Sequence, residues 1–239
     1  MKISNAVKEA AASGRRVRGV HFTFPAPTAI EVLAKADLQF IYIDGEHGSF
    51  DWRDIEQACL AAESRGLTPI ARIPDISTGT ITRFLDRGVR GIVAPHIETL
   101  ADARAVIDAA CFAPVGNRSY GAGRPEYGLH IDSRPGYMTA ANAGLSICLM
   151  IESKAGLDLA GDLAALPEVD YLSFGMLDLA QSLGHPGDSA HPDVIAAAED
   201  AARRIRAAGK RIREDFMHYA WINDLLVAGA RALLPQSAT

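Results

Sequence analysis

The chain has 239 residues and a formal net charge of −5, with 49% hydrophobic and 22% charged residues. That length and apolar share suit one large α/β domain over residues 1–239, not two small ones or a disordered chain. The acidic balance argues against a nucleic-acid partner, which needs a basic face. The cations Arg203, Arg204, Arg206, Lys210, Arg211 and Arg213 gather where a helical stretch ends, and there they complement the helix dipole.

Met1 to Gly14 lacks the apolar region of a signal peptide, and no run is long and apolar enough to span a membrane, so a cytoplasmic protein is expected. Cys59, Cys111 and Cys148 are odd in number, far apart and without a CxxC pair. They predict neither a disulfide framework nor a zinc site, but small core residues.

Short apolar runs alternate with longer amphipathic ones, the rhythm of βα units on a parallel sheet. Val17 to Phe22 reads as the first strand and Pro27 to Ala36 as a helix. Phe40 to Ile43 is the second strand; Asp51 to Arg65 is a helix with Asp51 as N-cap and Gly66 as stop. Pro69 to Ile73, Thr78 to Asp86, Gly91 to Ala94 and Leu100 to Ala110 continue the alternation. Asn117 to Pro135 is a long aperiodic loop rich in Gly, Pro, Arg and Tyr, of the kind that is often functional. Ser146 to Ile151 and Tyr171 to Phe174 are the fifth and sixth strands, and Asp193 to Ala208 is a helix stopped by Gly209. Arg211 to Arg213 is read as the seventh strand, Ala220 to Val227 as a helix and Ala232 to Leu234 as the eighth strand, with no helix to follow before Thr239. Eight strands predict a parallel (β/α)8 TIM barrel lacking its last helix; an open doubly wound sheet is the alternative.

In a barrel the site lies at the C-terminal strand ends. There the sequence places Asp44-Gly45-Glu46-His47-Gly48, then Arg72, Pro95 and His96, Glu152, and Asp178. Glu152 and Asp178 are oxygen donors suited to a hard divalent cation, Mg²⁺ or Mn²⁺. A 2-oxo acid chelates such a cation, which stabilises an enolate. Arg72 offers a planar fork for a carboxylate. His47 titrates near neutrality and suits proton transfer, with Asp44 and Glu46 placed to orient it. Each has a plainer reading: His47 as a hydrogen-bonded loop residue, Arg72 as a structural ion pair, Asp44, Glu46 and Asp178 as caps, Glu152 as a surface residue.

His21 is either core or cavity lining, and His96 faces the same mouth; His185, His191 and His218 lack metal-ligand spacing and read as surface. Gly116 and Gly121 to Gly123 complete no nucleotide fingerprint, and no GxSxG elbow occurs. Lys154 is the one lysine near a strand end, and Glu152 beside it opposes the lowered pKa that Schiff-base chemistry needs.

The segments Asp44-Gly45-Glu46-His47, Ala71-Arg72-Ile73-Pro74, Leu85-Asp86-Arg87-Gly88 with Gly91-Ile92-Val93-Ala94-Pro95, Ala113-Pro114-Val115-Gly116-Asn117-Arg118, Met150-Ile151-Glu152 and Gly175-Met176-Leu177-Asp178-Leu179 occur in one order. In that order and at about that spacing the chain resembles the HpcH/HpaI aldolases, class II pyruvate aldolases of the phosphoenolpyruvate/pyruvate superfamily, over roughly residues 15 to 210. The resemblance implies a metal on Glu152 and Asp178, Arg72 at the pyruvate carboxylate, and His47 as general acid/base supported by Asp44. It implies backbone contact from Gly175, Met176 and Leu177 to pyruvate, and Asp86 near a neighbouring subunit's site in a homo-oligomer, a hexamer or trimer. The long loop, with Arg118, Tyr120, Arg124 and Tyr127, is expected to select the aldehyde.

The chain departs from the family where Met176 and Leu177 replace a Pro-Ala pair, where Met150 replaces a glutamine, and where Ser119 follows Arg118 in place of glycine. It also departs at Arg213, Glu214 and Asp215, where the family is small and apolar. The expected activity is cleavage or formation of a 4-hydroxy-2-oxo acid through a pyruvate enolate. The alternatives are a citryl-type C–C lyase, synthase or decarboxylase, and a non-catalytic oxo-acid-binding barrel.

Overall fold

The computed structural model describes residues 3–121 and 133–234. The strands are Val17–Phe22 (β1), Phe40–Asp44 (β2), Thr68–Arg72 (β3), Gly91–Ala94 (β4), Ser146–Ile151 (β5), Tyr171–Phe174 (β6), Arg211–Ile212 (β7) and Met217–Trp221 (β8). They form one parallel sheet in the order β7-β6-β5-β4-β3-β2-β1-β8. The β1–β8 ladder, from Val17 opposite Met217 to His21 opposite Trp221, curls the sheet into a barrel and rules out the doubly wound alternative. Among the described residues no ladder joins β7 to β8, so the barrel has one open seam.

Alternation along each strand builds two cores. Phe40 and Tyr42 of β2, and Cys148 and Met150 of β5, point into the barrel with Ile70, Tyr171 and Phe216. Ile41, Ile43, Ile147, Leu149 and Ile151 point outward to the helices. The first helix, Ala6–Ser13, packs Val7 and Ala10 against the inner cluster. All three cysteines are buried and free, as expected.

The connecting helices start where side chains satisfy their first N–H groups. Asp51 and Asp54 form a reciprocal capping box on helix Trp52–Ser64, and Thr99 and Asp102 do the same for Leu100–Ala110. No helix among the described residues is long and apolar enough to cross a membrane.

The end of the chain corrects the sequence reading. The eighth strand is Met217–Trp221, not Ala232 to Leu234, and a helix, Ile222–Leu233, does follow it. Short apolar runs do not separate strand from helix by periodicity alone; pairing with β1 decides that Met217–Trp221 is strand. The helix that is missing belongs to the seventh unit. Between β7 and β8 lies only the 3₁₀ turn Arg213–Asp215 and Phe216.

Candidate active site

Seven of the predicted residues, His47, Arg72, Glu152, Gly175, Met176, Leu177 and Asp178, line one cavity of about 380 Å³ at the C-terminal strand ends. Asp44, at the end of β2, is buried behind it and organises its floor. Its Oδ1 accepts from Arg72 Nε at 3.1 Å and Nη2 at 2.9 Å, and its Oδ2 accepts from Arg72 Nη2 at 2.8 Å. Oδ1 also takes the backbone N–H of His47 at 3.1 Å, which fixes the turn carrying Glu46 and His47. His21 Nε2 lies 3.3 Å from Oδ2. Burial alone raises the Asp44 carboxyl, but His21, Arg72 and the His47 amide outweigh it and hold the group well below the usual carboxylate range. Burial likewise dominates for His21 and lowers it, so this imidazole is neutral near pH 7.

The same Nε also lies 3.1 Å from Glu46 Oε2, so two carboxylates hold Arg72. Its Nη1 makes no hydrogen bond among the described residues, and so the guanidinium keeps one edge for a ligand. Asp44 therefore aims Arg72 and does not touch the His47 imidazole. The carboxylate nearest that ring is Glu46, 4.0 Å away. His47 itself is 66% exposed at the mouth, where it can exchange protons with solvent.

Glu152, directly after β5, is 5% exposed. Its Oε1 accepts the backbone N–H of His96 at 2.6 Å and lies 3.0 Å from His96 Nδ1. The other ring nitrogen of His96 is 3.3 Å from Glu46 Oε1, so this imidazole bridges two carboxylates. His96 holds a left-handed backbone, φ 53°, unusual for a residue with a side chain. Burial raises the Glu152 carboxyl, and Glu46 and Asp178 push it further up against the lowering effect of His96. Gly175 closes the site from the next strand: a Cβ there would collide with Glu152 Oε2, so only glycine lets the backbone approach this closely. Asp178 follows in the first turn of helix Met176–Ser182.

These residues fit a divalent cation. Glu46, Glu152 and Asp178 are hard oxygen donors whose like charges work against one another. Glu46 Oε2 is buried and makes no hydrogen bond among the described residues, its charge being met by the Arg72 ion pair at 3.1 Å.

Other predicted residues lie elsewhere. Asp86 and Arg118 pair with each other at 2.9 Å, and the Arg118 guanidinium lies 4.7 Å over the Phe112 ring; neither lines the cavity. Tyr120 packs 6.3 Å from Tyr137, while Arg124 and Tyr127 lie outside the described residues. His185 and His191 are half-buried rather than surface; their rings stack at 3.5 Å, and His191 Nδ1 accepts the N–H of Asp193 as a helix cap.

Strand β8 and the turn before it supply cavity residues that the sequence reading did not assign: Tyr219, Trp221 and Arg213. Trp221 stacks on His21 at 3.9 Å, and His21 stacks on Tyr42 at 4.4 Å. A period of two through Met217, Tyr219 and Trp221 was the available signal; the charges immediately before it obscured the strand.

A family model described as HpcH/HpaI aldolase/citrate lyase matches residues 19–224. A hydroxypyruvate/pyruvate aldolase of Roseovarius nubinhibens is 34% identical over 207 residues, 87% of this chain and 80% of that protein. A 4-hydroxy-2-oxovalerate aldolase of Rhodococcus jostii is 34% identical over 211 residues, 86% of this chain and 79% of its own. The crystal structure of an HpcH/HpaI aldolase/citrate lyase family protein from Burkholderia cenocepacia superposes with a TM-score of 0.85 at 29% identity, covering 96% of this chain and 98% of that one.

Proposed function

We propose a reaction for this cavity from the premise that the chain belongs to the HpcH/HpaI aldolase/citrate lyase family. It is a carbon–carbon lyase, a metal-dependent aldolase of 2-oxo acids. The substrate is a 4-hydroxy-2-oxo acid, cleaved to pyruvate and an aldehyde or formed from them. The observation that carries this reading is the burial of Glu152 beside Glu46, with Arg72, His47 and Asp178 on the same cavity.

Glu152 and Asp178 hold the cation, Mg²⁺ or Mn²⁺, and Glu46 lies within reach of the same charge. The cation, when bound, polarises the oxo group and offsets the charge of the enolate. Arg72 receives the substrate carboxylate on its Nη1 edge, kept in place by Asp44 and Glu46. Gly175 and the backbone of Met176 and Leu177 close over the oxo acid. His47 takes the proton of the C4 hydroxyl as the C3–C4 bond breaks. The electron pair of that bond becomes the enolate, which is protonated at C3 to give pyruvate. Asp86 is assigned to the site of a neighbouring subunit, and Arg118, paired with it, to binding of the substrate there. The exposed Leu225, Leu226 and Leu233 of the last helix support a homo-oligomer, a trimer or hexamer.

Incubation with pyruvate in deuterated water tests enolisation alone. Exchange of the methyl protons that requires Mg²⁺ or Mn²⁺ and stops with EDTA is expected. Full exchange in excess EDTA refutes the metal-enolate reading, and light scattering reports the assembly.

A further inference from the structure

The turn that replaces the seventh helix puts a second guanidinium into the cavity. Arg213 follows β7 directly, lines the same space as Arg72 and Glu152, and lies 5.5 Å over the ring of Tyr219. Its side chain is 20% exposed, while that of its partner Glu214 is 48% exposed. The pair is therefore polarised: the cation faces the cavity and the anion faces water. Arg213 bonds Glu214 Oε1 through Nε, at 3.0 Å, and through Nη2. Among the described residues Nη1 makes no hydrogen bond.

Arg72 has the same arrangement. A carboxylate pins its Nε and Nη2 edge, and Nη1 is left over. One cavity thus holds two pre-oriented guanidinium groups, on β3 and on the β7–β8 turn, and shares its lining with the aromatic rings of Tyr42, Tyr219 and Trp221. A single carboxylate satisfies one of them. Leaving the other facing an apolar wall wastes a strong charge-assisted donor, whereas a ligand with a second carboxylate satisfies both.

We infer that Arg213 is a substrate-binding residue that selects a 2-oxo acid carrying a second carboxylate, with Arg72 at the 2-oxo end and Arg213 at the distal end. The inference rests on the aldolase reading for its reaction. The substrate is then a 4-hydroxy-2-oxo diacid, and the fragment released with pyruvate is an aldehyde or ketone that itself bears a carboxylate. The step is redox-neutral: the C3–C4 bond breaks, the hydroxyl proton leaves, and C3 gains a proton.

The test is a binding one and needs no turnover. Calorimetry of the Mg²⁺-loaded protein compares 2-oxoglutarate with 2-oxopentanoate, and 2-oxoadipate with 2-oxohexanoate, so each diacid faces a monoacid of equal carbon count. The wild-type protein is expected to bind at least one diacid about tenfold or more tightly than its partner, the size of one charge-assisted contact. Arg213→Met is expected to abolish that preference while monoacid binding stays within about twofold, which also shows that the site is folded. Arg213→Lys keeps the charge and retains part of the preference, a second variant should the first fail to fold. Equal binding of diacid and monoacid by the wild type overturns the inference, as does equal weakening of both by Arg213→Met. A diacid preference that depends on Arg213, without deuterium exchange into pyruvate, leaves the anchor standing and removes the aldolase reading instead.

Discussion

The two sides of the cavity were built by different rules. On the side of β2, β3, β5 and β6, every strand is followed by helix, and the polar residues emerge at the strand ends in dense mutual contact: Asp44 with Arg72, Arg72 with Glu46, Glu46 with His96, His96 with Glu152. On the side of β7 and β8 a helix is absent, the strand before the gap has two residues, and the wall is made of Arg213, Tyr219 and Trp221. The intact side carries the residues proposed for proton transfer and enolate formation, and the altered side makes none of those contacts. On the proposed roles, chemistry and selectivity would be held on separate supports, as in a barrel whose loops vary around a fixed rim.

The comparison breaks first at Glu152. Glu152→Gln removes a charged oxygen donor and is expected to lower kcat/KM by about 10³-fold or more, as chelation with EDTA does; activity within tenfold of wild type would place the metal elsewhere. His47→Ala is expected to lower kcat by about 10²-fold or more, with an unchanged unfolding midpoint because the ring is exposed. Pyruvate release in a coupled assay reads both.

Arg72→Ala should behave differently, and here the structure changes the expectation of a purely catalytic residue. Removing the guanidinium leaves Asp44 buried without its main partner, so a loss of about 3–5 kcal/mol in chemical denaturation accompanies the loss of turnover. The same pair sets an acid limb. Asp44 has its folded pKa depressed below 3.8. Its contribution is present above that ordinary value and is lost as pH falls below it toward the folded pKa. Asp44→Asn should flatten stability against pH in that acid window and nowhere else; an unchanged slope would mean that other carboxylates carry it. The smallest effect is expected on the altered side. Trp221→Ala should leave pyruvate deuterium exchange within about threefold while changing which carbonyl compounds are accepted, since it removes wall area and no charged group.

Most of the chemical rim is legible in the sequence, because strand ends in a βα repeat are where polar residues interrupt apolar runs. Asp44, Arg72 and Glu152 each follow such a run directly. What each touches was not legible. Asp44 was expected to orient the His47 imidazole and instead holds Arg72 and the backbone of His47, a choice made by the β2–β3 register that sets Asp44 opposite Arg72. His96 was placed at the mouth, but its bridge between Glu46 and Glu152 depends on a left-handed backbone that no local pattern announces.

By itself the sequence determined the parallel βα architecture, the three buried thiols and the identity of the acidic, basic and imidazole groups at the rim, since these follow from periodicity and from the order of residues along each strand. Only the tertiary structure decided that a helix follows β8, that the seventh helix is the one missing, and that Arg213 faces the same cavity as Arg72. Those outcomes depend on pairing between β1 and β8, strands separated by nearly the whole chain, and a contact of that range leaves no local periodicity to read.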